Sequence, residues 1–269
     1  SRIVADVGVI NLEALAAGQS DQSHKMELVA QAISAIENGQ LSEADVAEIA
    51  ARAAALPSNV RQRIGITGSP GVGKSTLTGL LISAFRARGA RVGVLAVDPS
   101  SVITGGALLG DRIRMHEHYL DPEVFIRSMS ARGHLGGLAE ATPTASKLLA
   151  IAGYHPVIVE TVGVGQSEVE VMNHVDTTLV ILAPGAGDDI QSAKAGIMEV
   201  GDIFVINKSD RDPDGAEKLR QEILRSLELS KRSDNWRPRV LILSALERTG
   251  IEELLTAISE HEEFLVAHS

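Results

Sequence analysis

Two patterns of apolar and polar positions divide the chain. From about Asn11 to Ala55 apolar residues recur at helical spacing, first in SHKMELVAQAISAIENG and again in LSEADVAEIAARAAAL. Ser42 followed by Glu43, Ala44 and Asp45 reads as a helix start with acidic residues in its first turn, and Pro57 with Ser58 ends the pattern. The spacing predicts two or three helices over residues 1–60, an N-terminal helical extension whose ordinary role is packing against the main domain. From Gln62 onward the period changes. RIGIT, RVGVLAV, VFIRS, PVIVET, TTLVILA, DIFVIN and RVLIL are short Val/Ile-rich runs, and amphipathic stretches of helical period separate most of them. Alternation of strand and helix, with strands apolar on both faces, predicts an α/β domain over residues 61–269. Its mostly parallel central sheet is covered by helices on both faces.

The first strand leads into chemistry. Gly68-Ser69-Pro70-Gly71-Val72-Gly73-Lys74-Ser75 fits GxxxxGK[ST] between RIGIT and a helical run that continues from Thr76 through LTGLLISAFRAR. Glycines let such a loop wrap tightly, so that backbone N–H groups and the helix N-terminus face phosphate oxygens. Lys74 then reaches the β- and γ-phosphates as a mobile charge and the Ser75 hydroxyl ligates Mg²⁺. The context of strand before and helix after makes this a phosphate-binding loop, and the domain a P-loop nucleoside-triphosphatase.

A second signal selects the base. The run DIFVI ends in Asn207-Lys208-Ser209-Asp210, which fits NKxD at a strand end. Guanine presents two N–H donors on one edge, and one fixed carboxylate can accept both. Adenine lacks that pair, and discrimination of this kind reaches factors on the order of 10⁴. RVLIL leads into Ser244-Ala245-Leu246, a loop of the type that backs guanine. The expected ligands are GTP and GDP rather than ATP.

Three carboxylates stand at strand ends or in Gly-rich loops, where a magnesium site needs them: Asp98 ends VGVLAV, Asp111 follows TGGALLG, and Glu160 ends PVIVE. Mg²⁺ takes few carboxylates alongside waters and phosphate oxygens, so not all three need ligate it, and a solvated loop acid is the alternative for each. Glu160 opens the segment Thr161-Val162-Gly163-Val164-Gly165-Gln166, where Gly163 is placed to offer its N–H to the γ-phosphate. Further on, PGAGDDIQSAK runs from a Gly-rich turn into a short helix. Gln191 and Lys194 lie three apart on one face there, and spacing alone favours a capped surface helix. His116 and His118 sit two apart and share no helix face, so no His metal site is expected; Arg132 and His134 in MSARGHLGG suit either a phosphate or a partner.

Composition removes other classes. The net charge of −10 excludes the basic footprint that nucleic acid or an anionic membrane surface requires. Zero cysteines exclude disulfides and thiolate metal sites and suit a reducing, cytoplasmic location. No apolar run approaches the length of a membrane span, and SRIVADVGVINLEAL lacks the basic-then-apolar order of a secretory signal. The start on Ser1 in place of Met leads to the expectation of a processed or trimmed chain.

The ordered set GITGSPGVGKSTL, VLAVDPSS, TGGALLGDRIRM, FIRSMSARGHLGGL, VIVETVGVGQSE, PGAGDDIQSAKAGIME and FVINKSD resembles the P-loop GTPases that act as chaperones for adenosylcobalamin-dependent acyl-CoA mutases. The resemblance runs from about Arg63 to Glu260, and ETVGVGQSE together with PGAGDxxQ is more specific than the phosphate loop. It implies a slow, Mg²⁺-dependent, partner-stimulated GTPase that gates cofactor delivery from an adenosyltransferase to a mutase of the methylmalonyl-, isobutyryl- or 2-hydroxyisobutyryl-CoA type and protects that mutase. It implies that Ser75, Asp98, Asp111 and Glu160 surround Mg²⁺. Pro184 to Lys194 matches the extra switch that meets the mutase's cobalamin-binding domain, with Gln191 and Lys194 reaching the nucleotide when the partner docks. It also implies a C-terminal dimerisation arm. This sequence stops at Ser269, so the expectations are an arm removed, a different pairing, or a monomer. A P-loop kinase and a docking adaptor with negligible hydrolysis are the alternatives; NKSD opposes the first, and intact Lys74, Ser75 and Glu160 oppose the second.

Overall fold

The computed structural model describes residues 2–5, 8–12, 22–57, 62–98, 118–130, 137–161, 166–185, 198–229 and 235–268. All seven strand runs expected from the period form strands: β3 (Arg63–Thr67), β4 (Val92–Asp98), β5 (Val124–Ser130), β6 (Val157–Thr161), β7 (Thr177–Leu182), β8 (Ile203–Ile206) and β9 (Arg239–Ile242). They make one parallel sheet in the order β5-β4-β6-β3-β7-β8-β9. β6 and β8 are buried along their whole length, as strands covered on both faces must be.

Two helices form where the N-terminal sequence has helical period, α1 (Gln22–Glu37) and α2 (Glu43–Ala54). Ser42 caps α2 as its sequence suggests: its side chain accepts from the Asp45 N–H, and the Asp45 carboxylate accepts from the Ser42 N–H at 3.0 Å. Ahead of these helices the structure adds an antiparallel hairpin that helical periodicity did not foretell, β1 (Arg2–Ala5) with β2 (Gly8–Asn11). The remaining helices are α3 (Lys74–Ala87), α4 (Gly137–Ile151), α5 (Gln166–Met172), α6 (Pro213–Leu229) and α7 (Ile251–Ala267). Among the described residues no helix is long and apolar enough to cross a membrane.

The chain divides into two compact units, residues 1–63 with 84–159 and residues 64–83 with 160–269. In the first unit β4 and β5 pair from Val92↔Val124 to Asp98↔Ser130. Arg127 on β5 ties α1 to the strand: its guanidinium donates to Ser34 Oγ at 2.9 Å and to Ala30 O, and it pairs with the buried Glu37 carboxylate. Arg91 pairs with Glu123 at 2.6 Å and overlies the Tyr154 ring at 4.8 Å, and Lys25 is buried within the field of both charges. Burial first, and then the Arg91 charge, hold the Lys25 ammonium below the ordinary lysine range.

In the second unit β3, β7, β8 and β9 pair in parallel register. Val180, Phe204 and Ile206 pack with Ala216, Leu219 and Ile223 of α6. Side chains alternate along a strand, so Thr177 lies on the opposite face from Val180, and there it meets His261 of α7 at 2.8 Å. Helices α6 and α7 therefore cover opposite faces. The His261 imidazole is fully enclosed, packing on Trp236 with ring centroids 4.6 Å apart. The carboxylate of Asp202 accepts from the Thr178 N–H at 2.8 Å, and its carbonyl accepts from the Trp236 indole at 3.0 Å.

Candidate functional site

The site lies at the carboxyl ends of β3, β6, β8 and β9, all within the second unit. β3 carries Ile64 and Ile66 into the core and delivers the chain to Gly68, and α3 starts at Lys74. Two glycines are dictated by contact as well as by conformation. Gly68 has φ +148°, and a Cβ there would lie 2.2 Å from the Ile181 carbonyl oxygen; Gly73 has φ +101°, and its Cβ would lie 2.3 Å from the Asn207 amide nitrogen. The loop is thus held against β7 on one side and against Asn207 at the end of β8 on the other.

Lys74 is buried, and its ammonium donates back into its own loop, to Gly68 O at 2.6 Å and Ser69 O at 3.0 Å. This keeps the cation curled within the loop that would receive phosphate. Ser69 and Val72 are buried, Pro70 and Gly71 are exposed at the loop tip, and Thr76 is exposed on the first turn of α3. α3 begins at Lys74, so its N-terminus faces the loop, the arrangement that receives an anion.

Glu160 sits near the end of β6 and is only 5% exposed. Ser75 Oγ donates to its Oε1 at 2.6 Å and Thr78 Oγ1 donates to its Oε2 at 2.7 Å. Ser75 and Thr78 are three apart, on one face of α3, which is why both hydroxyls reach one carboxylate. Sequence reading missed Thr78; its spacing from Ser75 was the available signal. Hydroxyl and carboxylate oxygens form a hard donor set of the kind Mg²⁺ takes, so these residues fit that ion.

Asn207 links the Gly68–Ser75 loop to the loop that follows β9. Its Nδ2 donates to Val72 O at 2.8 Å and its Oδ1 accepts from the Ala245 N–H at 2.9 Å. Its own N–H reaches Leu182 O on β7 at 2.8 Å, and the side chain is 2% exposed. Lys208, at φ +63°, turns its ammonium onto Gly71 O at 2.5 Å. Asp210 is half-buried, and its Oδ1 accepts from Ser244 Oγ at 2.5 Å. Ser244 Oγ in turn accepts from the Glu247 N–H, and Leu246 between them is 74% exposed. The structure therefore brings together Gly68 to Ser75, Glu160, Asn207, Lys208, Asp210, Ser244 and Ala245, with Leu246 at the rim. Asp98 ends β4 in register with Ser130. The Asp98 side chain lies outside the described residues, as do Asp111, Gly163, Gln191, Lys194, Arg132 and His134.

The chain is similar to proteins of known family and fold. A crystal structure titled as a LAO/AO transport system kinase superposes with a TM-score of 0.71 at 31% identity, covering 96% of this chain and 76% of that one. GTPase ArgK of Escherichia coli is 44% identical over 207 residues, covering 76% of this chain and 62% of the relative. The mouse methylmalonic aciduria type A homolog, mitochondrial, is 41% identical over 209 residues, covering 76% of this chain and 50% of the relative. The chain thus spans less than two thirds of the length of the curated relatives it matches. The profile described as methylmalonyl Co-A mutase-associated GTPase MeaB matches residues 29–269. With nearly its whole length inside that profile, the chain belongs to the MeaB family of methylmalonyl Co-A mutase-associated GTPases.

Proposed function

We propose that the chain binds GTP and GDP with Mg²⁺, hydrolyses GTP slowly on its own, and uses nucleotide state to gate adenosylcobalamin loading onto an acyl-CoA mutase and the protection of that mutase. The observation that carries this reading is the Asn207 side chain, which spans from Val72 O in the phosphate loop to the Ala245 N–H beside Asp210. Phosphate and base readers are built as one block, at a spacing fixed by two hydrogen bonds.

In this reading Lys74 leaves the carbonyls of Gly68 and Ser69 for the β- and γ-phosphates, and the loop N–H groups take the remaining phosphate oxygens. Asp210 accepts both guanine N–H groups, with Ser244 fixing its carboxylate plane. Ser75 and Glu160 hold Mg²⁺, joined by Asp98 and Asp111. When bound, the ion neutralises charge on the phosphate oxygens. Gly163 senses the γ-phosphate through its N–H. Gln191 and Lys194 come to the nucleotide when the mutase's cobalamin-binding domain docks; a cation delivered there contributes on the order of 10³ or more in rate. Residues 61–269 form the GTPase domain and residues 1–60 its helical extension, an adenosyltransferase supplies the cofactor, and the work takes place in the cytoplasm.

The mutase partner is supported by the family description. The kinase title of the structural relative gives no reason to change nucleotide, because NKSD with Ser244 reads N–H donors that adenine does not pair in that way. The test is GTP turnover by the purified chain, alone and with adenosylcobalamin-dependent mutases of the methylmalonyl, isobutyryl and 2-hydroxyisobutyryl types. Slow basal turnover that rises many-fold with one mutase is expected. Turnover unchanged by every mutase would refute the chaperone reading, and nucleotide-dependent mutase binding without turnover would make the chain a docking adaptor.

A further inference from the structure

We infer that Thr78 is a positioning residue for the carboxylate beside the metal: its hydroxyl clamps Oε2 of Glu160 so that Oε1 stays on the Ser75 hydroxyl. The inference rests on the proposed nucleotide and Mg²⁺ binding and goes beyond the GxxxxGK[ST] motif, which ends at Ser75.

Thr78 is fully buried, and its Oγ1 has two acceptors within reach, Lys74 O at 3.1 Å and Glu160 Oε2 at 2.7 Å. A threonine within a helix ordinarily spends its single proton on the carbonyl four residues earlier, here that of Lys74. The contact to the carboxylate is the shorter, 2.7 against 3.1 Å, and the stronger claim on that proton, so the hydroxyl points away from its own helix toward β6. Backbone position alone does not fix the carboxylate. A glutamate has three side-chain torsions, and its two oxygens are chemically equivalent. Ser75 holds one of these oxygens, Oε1. A second donor one helical turn further along α3 fixes the carboxylate plane and its depth. The base of Glu160 is fixed too, because Thr161 next to it donates to Ile66 O on β3 at 3.4 Å. Thr78 thereby restrains the second carboxylate oxygen before any ion arrives. Partners that orient a metal-side ligand in this way are worth about 10–100-fold in metal affinity.

The test uses the full chain and titrates Mg²⁺ into a fluorescent GDP complex, reading the Mg²⁺ concentration at half-maximal tightening. GDP affinity in chelator is measured beside it. Thr78→Val keeps the shape and removes the donor; it should raise the Mg²⁺ midpoint by about tenfold or more and leave chelator GDP affinity at the wild-type value. Thr78→Ser restores the hydroxyl and should return the midpoint to near wild type. Thr78→Ala gives the same reading if Thr78→Val does not fold. A Thr78→Val protein that binds GDP with the wild-type Mg²⁺ midpoint overturns the clamp and leaves the nucleotide site standing. Equal impairment of Thr78→Val and Thr78→Ser overturns it as well, since volume rather than the hydroxyl would then matter. Absence of GDP binding by the wild-type chain overturns the nucleotide reading itself, and the clamp with it.

Discussion

Asn207→Ala removes two hydrogen bonds at once, from Nδ2 to Val72 O at 2.8 Å and from the Ala245 N–H to Oδ1 at 2.9 Å. Both backbone groups belong to residues at most 5% exposed, so water does not simply replace the lost amide. Stranding a buried donor or acceptor costs about 1–3 kcal/mol. Taking the lower half of that range for each group, because truncation is partly relieved by relaxation, the variant loses about 2–4 kcal/mol of stability. For a chain of this size about 3 kcal/mol corresponds to a melting point lower by about 6–12 °C. The loss exists without nucleotide, since both bonds are present without it. The assay is thermal unfolding of the full chain in nucleotide-free buffer with chelator, then the same scan at saturating GDP. GDP should recover less of the lost melting temperature than it adds to the wild type, because the phosphate and base readers are no longer held at their working distance. A melting point within about 1 °C of wild type, less than 0.5 kcal/mol on the same scale, would refute the claim that Asn207 bolts the two loops together.

Lys74→Ala removes the only charge in the phosphate-loop motif and should abolish tight GDP binding in equilibrium titration; unchanged affinity would dismiss the phosphate assignment. Asp210→Asn should move preference from guanine toward xanthine nucleotides, because an amide offers a donor where guanine needs an acceptor; competition binding that still ranks GDP far above XDP would contradict the base-reading geometry. Lys25→Met should raise the melting point at neutral pH. The Lys25 pKa is depressed by burial, so the charged lysine penalises the folded state at every pH below its folded pKa. That penalty fades as pH rises toward the ordinary lysine value, and the advantage of the Met variant should shrink over the same interval; a pH-independent difference would show that packing alone is responsible.

The sequence by itself determined most of the sheet. Val/Ile-rich runs of four to seven residues have few ways to bury both faces, and each of the seven strands from β3 to β9 lies where such a run stands. It also determined the start of α2, because a capping box is a contact between residues three apart. The phosphate loop was legible for the same reason of locality: strand, glycines, Lys74 and Ser75 are contiguous, and their chemistry comes from spacing. The N-terminal strand pair was not legible, since two strands of four residues each leave too little periodicity to register against the helical pattern of α1 and α2.

Only the tertiary structure decided the long-range pairings. Asn207 stands 135 residues from its partner Val72, and Glu160 stands 82 residues from Thr78. His261 carries no local signal in the sequence, and only the packing of α7 sets it against Thr177, Asp202 and Trp236. A carboxylate at a strand end reads the same in sequence whether water or a buried hydroxyl holds it. Sequence period fixes which face of an element is apolar, whereas the stacking of α3 against the end of β6 fixes which polar side chains meet. That stacking depends on the summed packing of residues remote from the site, and no local spacing encodes it.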